Sequence, residues 1–260
     1  MAKRAGQGRL HGYLVIDKPA GWTSHDVVAR VRRILGERRV GHAGTLDPAA
    51  VGVLPVAVGQ ATRTVDYLSR ASKAYVAEIT FGVATDSADG DGQVIALRSV
   101  GDLPVERLEA TLQAFRGELL QVPPAFSAIR VGGERLYRRA RKGDSVQVPP
   151  RTVRIHEIAL IAWDSPVATI YVACSKGTYI RALARDLGDE MGTGAYLSNL
   201  VRVRTGPFTL DHAMTLEDLP RRLECVPWED LAFHPDVALQ DRPALVVGEP
   251  RAAHWRQGRH

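Results

Sequence analysis

Two of the 260 residues are cysteine and five are lysine. Cys174 and Cys225 cannot build a disulfide framework, and no Cys pair stands at zinc-finger spacing. No run of about eighteen apolar residues occurs, and the basic opening MAKRAGQGRL leads into no apolar stretch of the kind a secretory signal needs. A P-loop, a GxGxxG turn after a strand, a GxSxG elbow and an HExxH helix are all missing. These gaps speak against secretion, membrane spanning, a nucleotide cofactor and a metal. The expected setting is the reducing cytoplasm, with no cofactor.

The chain does have 45% hydrophobic residues, enough for a substantial core in one large domain or in a main domain with a small module. Its formal charge is +5, and 29 of its 34 basic residues are arginine. A guanidinium donates through a planar fork and stacks, so this choice suits phosphates and bases, although a GC-rich genome would produce the same bias. Charge alone is a weak pointer to nucleic acid.

Along the chain, YLVID is patterned as a buried strand and KPAG as a turn. Thr23 to Asp26 is a candidate capping box for a helix on which Val27, Val28, Val31, Ile34 and Leu35 recur at helical spacing and which Gly36 stops. GVLPVAVG suits a short buried strand, ATRTVDYL a short helix, and KAYVAEITFG a strand with Tyr75, Ala77, Ile79 and Phe81 on one side. TDSADGDG predicts the tip of a hairpin running into QVIAL; its aspartates lack the ligand order of a calcium loop, which favours a solvated turn. PVERLEATLQAFRGEL predicts one amphipathic helix from Pro104. VATIYVACSKGTYIRALARDLG predicts a strand, a Lys-Gly turn and a helix stopped by Gly188. TLEDLPRRLE predicts a short helix, and ALVVGEPRAAHWRQGRH a strand, a turn and a helix start. Strands separated by isolated helices, with no regular βαβ alternation, indicate an α+β fold: a mixed, largely antiparallel central sheet flanked by helices. In the loop-rich stretch from Gln121 to Arg154, Arg130, Arg135, Arg138, Arg139, Arg141, Lys142, Arg151 and Arg154 surround Tyr137. That pattern suits an RNA contact surface and a solvated face equally.

In GHAGTLDPAAVGVLP, Asp47 is a lone carboxylate among small and apolar residues, followed by Pro48. Asp before Pro is a good helix N-cap. The rival reading is a catalytic carboxylate on a loop stiffened by Pro48, whose small neighbours let a large substrate approach.

Six blocks in order, LVIDKPAGWTS, GHAGTLDPAAVGVLPVAVGQATR, KAYVAEITFGVATDSADGDG, VPPAFSAIRVGGERLYRRARKG, CSKGTYIRALARDLG and YLSNLVRVRTGPF, resemble the TruB-type tRNA pseudouridine synthases over roughly residues 10 to 210. The resemblance implies the pseudouridine synthase fold and isomerisation of the uridine at position 55 in the T-loop of tRNA. It implies a catalytic domain over residues 1–214, then a short segment, 215–260, in which ALVVGEPRAAHWRQGRH is similar to the opening of a PUA-like module. By motif, Asp47 of GTLDP resembles the family's essential aspartate, Tyr75 of KAY the residue that stacks on the target base, and Arg181 of GTYIRAL the arginine paired with that aspartate. Tyr179 lies with it at the base pocket, and Leu200 of SNLVR is similar to an apolar wall of that pocket. His42 of GHAG is similar to the histidine that fills the space left in the T-loop, and Lys18 of DKP to a lysine supporting the active-site loops. The implied partner is the T-stem-loop of tRNA. A monomer working without guide RNA is expected, the absence of long basic tails favouring standalone action.

These roles have physical reasons. Extruding a uridine from a folded loop costs a few kcal/mol; stacking on Tyr75 could return about 1 to 3 kcal/mol, with His42 filling the vacancy. Isomerisation breaks the N-glycosidic bond, turns the uracil and forms a C–C bond without net redox change, so no cofactor is needed. An ionised Asp47 could add to the uracil ring, attack the ribose or remove a ribose proton. Burial would quench that carboxylate unless a cation holds it charged. Arg181 is the candidate, a unit pair about 4 Å apart being worth about 4 kcal/mol at an effective dielectric of about 20. The rival class is a non-catalytic tRNA-binding or folding chaperone, which Asp47→Asn would leave working. A hydrolase using Asp47 as nucleophile lacks the acidic metal-binding cluster that phosphoryl transfer needs.

Overall fold

The computed structural model describes residues 10–124, 130–131, 134–135 and 148–257. Strands span Gly12–Lys18 (β1), Val40–His42 (β2), Val51–Val58 (β3), Lys73–Phe81 (β4), Val83–Thr85 (β5), Val94–Leu97 (β6), Gly117–Gln121 (β7), Arg130–Val131 (β8), Glu134–Arg135 (β9), Arg151–Asp164 (β10), Val167–Cys174 (β11), Ala195–Thr205 (β12) and Phe208–Thr209 (β13). Helices span Ser24–Leu35 (α1), Val65–Arg70 (α2), Val105–Ala114 (α3), Ile180–Met191 (α4), Asp218–Cys225 (α5), Trp228–Leu231 (α6) and Glu249–Arg256 (α7). The central sheet has nine strands in the order β1-β3-β12-β4-β11-β10-β7, with β2 added to β3 and β13 to β12. Only β3 and β12 run parallel; its other pairs are antiparallel. This is the α+β class that the sequence predicts.

Alternation along the strands sets the layers. Tyr75, Ala77, Ile79 and Phe81 of β4 point into a core shared with Ile170 and Val172 of β11 and with Leu183 and Leu187 of α4. At the other end of the sheet, Leu14 and Ile16 of β1 pack on Val27 and Val31 of α1, while Tyr13 and Val15 face Leu68 and Phe208. Each fully buried side chain of this size contributes roughly 1.5 to 3 kcal/mol. The Thr23–Asp26 capping box and the left-handed Gly36 bound α1 as the sequence indicates. Residues past Met214 fold back on β1: Tyr13 and Phe233 exchange two backbone hydrogen bonds of 2.8 and 2.9 Å, and Leu216, Leu219 and Leu231 join the core beneath α1.

Four expectations differ from the structure. The helix expected over PVERLEATLQAFRGEL ends at Ala114, and Gly117–Gln121 turns into β7, because pairing with β10 outweighs helical propensity there. Gly188 does not stop α4, which continues to Met191 and is capped by Gly192 at φ 76°. Gly188 is instead a contact surface: a Cβ there would lie 2.1 Å from the backbone nitrogen of Ala195, so only glycine lets α4 cross the start of β12. The strand expected at ALVV is irregular, with Val246 95% exposed and no described strand beside it to supply a ladder. Finally, Arg151 and Arg154 lie on β10, not in a loop. Tyr137, Arg138, Arg139, Arg141 and Lys142 lie outside the described residues.

Candidate active site

No helix begins at Pro48. The backbone N–H of Ala50 donates to the carbonyl of Asp47 at 3.1 Å, and the chain then enters β3, so the Asp47 carboxylate caps nothing. The loop from Gly44 to Pro48 is held by groups from three directions. Lys18, fully buried at the end of β1, donates its ammonium to the carbonyls of Pro19 (2.9 Å), Trp22 (2.6 Å) and Pro48 (3.0 Å), using its three N–H bonds. Burial pushes its pKa down to about 8, against the charge of Asp47. Ser24, at the first turn of α1, accepts the N–H of Leu46 at 2.9 Å and donates to its carbonyl at 3.3 Å. From β12, the fully buried Arg202 donates to the carbonyls of Val53 (2.8 Å), Thr45 (3.3 Å) and Gly44 (3.1 Å).

Arg202 can reach those carbonyls because Gly52 (φ 100°) lies directly across the parallel β3–β12 pair; a Cβ at that position would sit 2.4 Å from the Arg202 carbonyl oxygen. No carboxylate pairs with Arg202 among the described residues. It also interacts with the hydroxyl of Tyr75, whose pKa burial pushes up to about 12.

The catalytic-aspartate candidate meets its arginine. Arg181, in the first turn of α4, places Nε 2.9 Å from Asp47 Oδ2. Its Nη1 lies 3.2 Å from Asp89 Oδ2 and donates to the carbonyl of Ser87 at 3.4 Å. One guanidinium therefore serves two carboxylates. Burial raises the pKa of Asp47; Arg181 opposes that shift and the charge of Asp89 adds to it. The TDSADGDG turn is accordingly not simply solvated: Ser87 is buried, and its hydroxyl donates to Asp89 Oδ1. The turn does join β5 to β6, as expected of a hairpin tip.

Asp47 and Arg181 form a partition between two cavities. On one side, a cavity of about 270 Å³ is lined by Tyr75, Tyr179, Lys73 and Leu200. On the other, one of about 570 Å³ is lined by Asp86, Asp89, Asp91 and Asn199. Tyr179 is fixed at the entry to α4 by Gln121, which accepts its N–H at 2.8 Å and donates to its carbonyl at 3.1 Å. Of the residues singled out from sequence, Asp47, Tyr75, Tyr179, Arg181 and Leu200 thus share one cavity, and Lys18 lies under its loop. His42 lines neither cavity. It sits on β2 with its ring 5.4 Å from that of His25, and burial pushes its pKa down to about 4.

Sequence reasoning missed Asp89, Arg202 and Lys73. Lys73 is buried, donates to the carbonyls of Ser69 (3.0 Å) and Ala71 (2.9 Å), and has its pKa pushed down to about 8 by burial. A signal existed for Arg202: it shares the inward face of β12 with Leu200, where a polar residue needs partners. None existed for Asp89, whose burial depends on how the hairpin folds over α4.

Two family models match the chain, TruB family pseudouridylate synthase (N terminal domain) over residues 32–180 and tRNA pseudouridylate synthase B C-terminal domain over residues 181–230. A tRNA pseudouridine synthase B of Gloeobacter violaceus is 48% identical over 96% of this chain and 86% of the relative. One of Symbiobacterium thermophilum is 48% identical over 99% and 85%. Among solved structures, a chain of a Cbf5-Nop10-Gar1 complex is 31% identical with a TM-score of 0.71; the match covers 88% of this chain and 61% of that one. On the model matching more than half its length and on these relatives, the chain belongs to the TruB family of pseudouridylate synthases.

Proposed function

We propose that this protein isomerises a uridine of tRNA to pseudouridine, and that the target is the T-loop uridine at position 55. The observation that carries this reading is the Asp47 carboxylate, held 2.9 Å from Arg181 in the wall of a cavity that also presents Tyr75 and Leu200. At about 270 Å³, that cavity has room for one pyrimidine. Extruded from the T-loop, the uracil stacks on Tyr75 against Leu200, with Tyr179 at the mouth. The C1′–N1 bond breaks, the uracil turns, and a C1′–C5 bond forms; C5 gives up a proton and N1 gains one. Asp47 acts as the anion, whether on the ring, on the ribose carbon or on a ribose proton. Arg181 keeps it ionised against the desolvation that the bound base imposes.

Residues 1–214 carry this chemistry, with Lys18 bracing the Asp47 loop and His42 filling the T-loop. The protein works in the cytoplasm as a monomer, without guide RNA or metal. The test is to incubate the purified protein with an unmodified tRNA transcript and chelator, and to map pseudouridine. The expected product carries one pseudouridine in the T-loop, and an unmodified T-loop refutes the reading.

A further inference from the structure

The β1–α1 turn carries a second feature that the chemistry does not use. Trp22, the residue before the N-cap of α1, is 37% exposed beside a notch of about 350 Å³ that is also lined by Asp26, Ala29, Arg30 and Arg33. Asp26, Ala29, Arg30 and Arg33 share one face of the helix at i, i+3, i+4 and i+7, and the short Ala29 leaves the space open. Asp26 would ordinarily pair with Arg30 four residues on. Its Oδ2 is committed instead to the Thr23 N–H (2.9 Å) and hydroxyl (2.6 Å) of the capping box. Arg32, on another face, is committed to the Val40 carbonyl at 2.7 Å. Arg30 and Arg33 are exposed and make no ion pair or hydrogen bond among the described residues.

The notch is mechanically joined to the catalytic loop. Gly21 N–H donates to the Pro48 carbonyl at 2.9 Å, and the Lys18 ammonium bridges the carbonyls of Trp22 and Pro48. Pro48 in turn lines the larger cavity beside Asp47. An indole next to two unneutralised guanidinium groups suits a strand of alternating bases and phosphates: the ring offers a stacking face and each arginine a fork for phosphate oxygens. A protein partner is a poorer fit, because among the described residues that line the notch Trp22 is the only large apolar group.

Resting on the reading of the site as a tRNA isomerase, we infer that the Trp22–Arg30–Arg33 notch is a second RNA contact. It grips the nucleic-acid backbone next to the extruded uridine and contributes to binding, not to the chemical step. The test measures binding of full-length unmodified tRNA across salt concentrations, and single-turnover conversion at saturating tRNA. Arg30→Glu with Arg33→Glu is expected to weaken binding at least about ten-fold near 0.1 M salt and to flatten the log–log salt dependence by about 1.4 to 1.8, two phosphate contacts' worth. Trp22→Ala is expected to weaken binding about ten-fold and Trp22→Phe to stay close to the parent, as stacking requires. The saturating rate stays at the parent value in all three. Arg30 and Arg33 are exposed and Trp22 is 37% exposed, so thermal unfolding of each variant is measured beside its binding, and the Trp22→Phe protein controls for lost packing. Parent-like affinity and salt slope in the charge-reversed protein would overturn the inference and leave the notch to a partner other than RNA. A saturating rate that falls with the affinity would overturn it as well. If Asp47→Asn converts tRNA like the parent, the reading of the catalytic site fails; if Asp47→Asn is dead while the notch variants bind normally, only the notch fails.

Discussion

The two cavities that share Asp47 and Arg181 are opposites in charge. The smaller has Lys73 as a further wall, with the buried Arg202 behind Tyr75 and the Gly44–Thr45 backbone; among the described residues that line it, Asp47 is the one carboxylate. The larger is lined by Asp86, Asp89 and Asp91 besides Asp47. Breaking a glycosidic bond leaves negative charge on the departing uracil, which a cationic chamber stabilises and an acidic one opposes. The acidic side also repels phosphate. One carboxylate can therefore face the reaction on one flank and be tuned from the other, where Asp89 competes with it for a single guanidinium.

The largest break in that arrangement is Asp47→Asn, which removes the anion common to both chambers. Single-turnover conversion should drop by about 10⁴-fold or more while tRNA affinity stays near the parent value. Arg181→Lys keeps a charge but loses the fork that reaches Asp47, Asp89 and the Ser87 carbonyl together. A rate loss of about 10² to 10³-fold at unchanged affinity is expected, the size seen when one preorganised donor is withdrawn. Arg202→Met acts behind the cationic chamber alone and leaves the Gly44, Thr45 and Val53 carbonyls unpaired. Denaturant titration should show a loss of about 3 kcal/mol.

His42 lies in neither chamber and supplies a contrast. Its folded pKa of about 4 lies below its ordinary 6.5, so the unfolded chain takes a proton that the folded protein refuses. Its contribution to stability is present above pH 6.5 and is lost as pH falls through 4, up to about 3 kcal/mol in all. His42→Gln should flatten stability against pH across that window, with the rate at neutral pH read separately for the role proposed for it in the T-loop.

Much of this site was legible in the chain because its parts lie in local patterns. The strand alternation of KAYVAEITF placed Tyr75 inward, the capping box marked the start of α1, and GTLDP marked Asp47 as unusual. What remained hidden depends on long-range folding. That Asp47 caps no helix is one such point: Asp-Pro favours a cap locally, and pairing of β3 with β1 and β12 draws the next residues into a strand. Asp89 looked solvated because nothing nearby in sequence shows that α4 will bring Arg181 beneath the hairpin. Gly188 read as a stop because glycine ends helices more often than it admits a crossing strand.

The most direct test of the shared-arginine arrangement is the single-turnover rate against pH in the parent and in Asp89→Asn. With burial and Asp89 both raising Asp47, the parent's acid limb should lie above the ordinary 3.8 of an aspartate. Removing the charge of Asp89 should move that limb to lower pH. Acid limbs that coincide in the two proteins would contradict it.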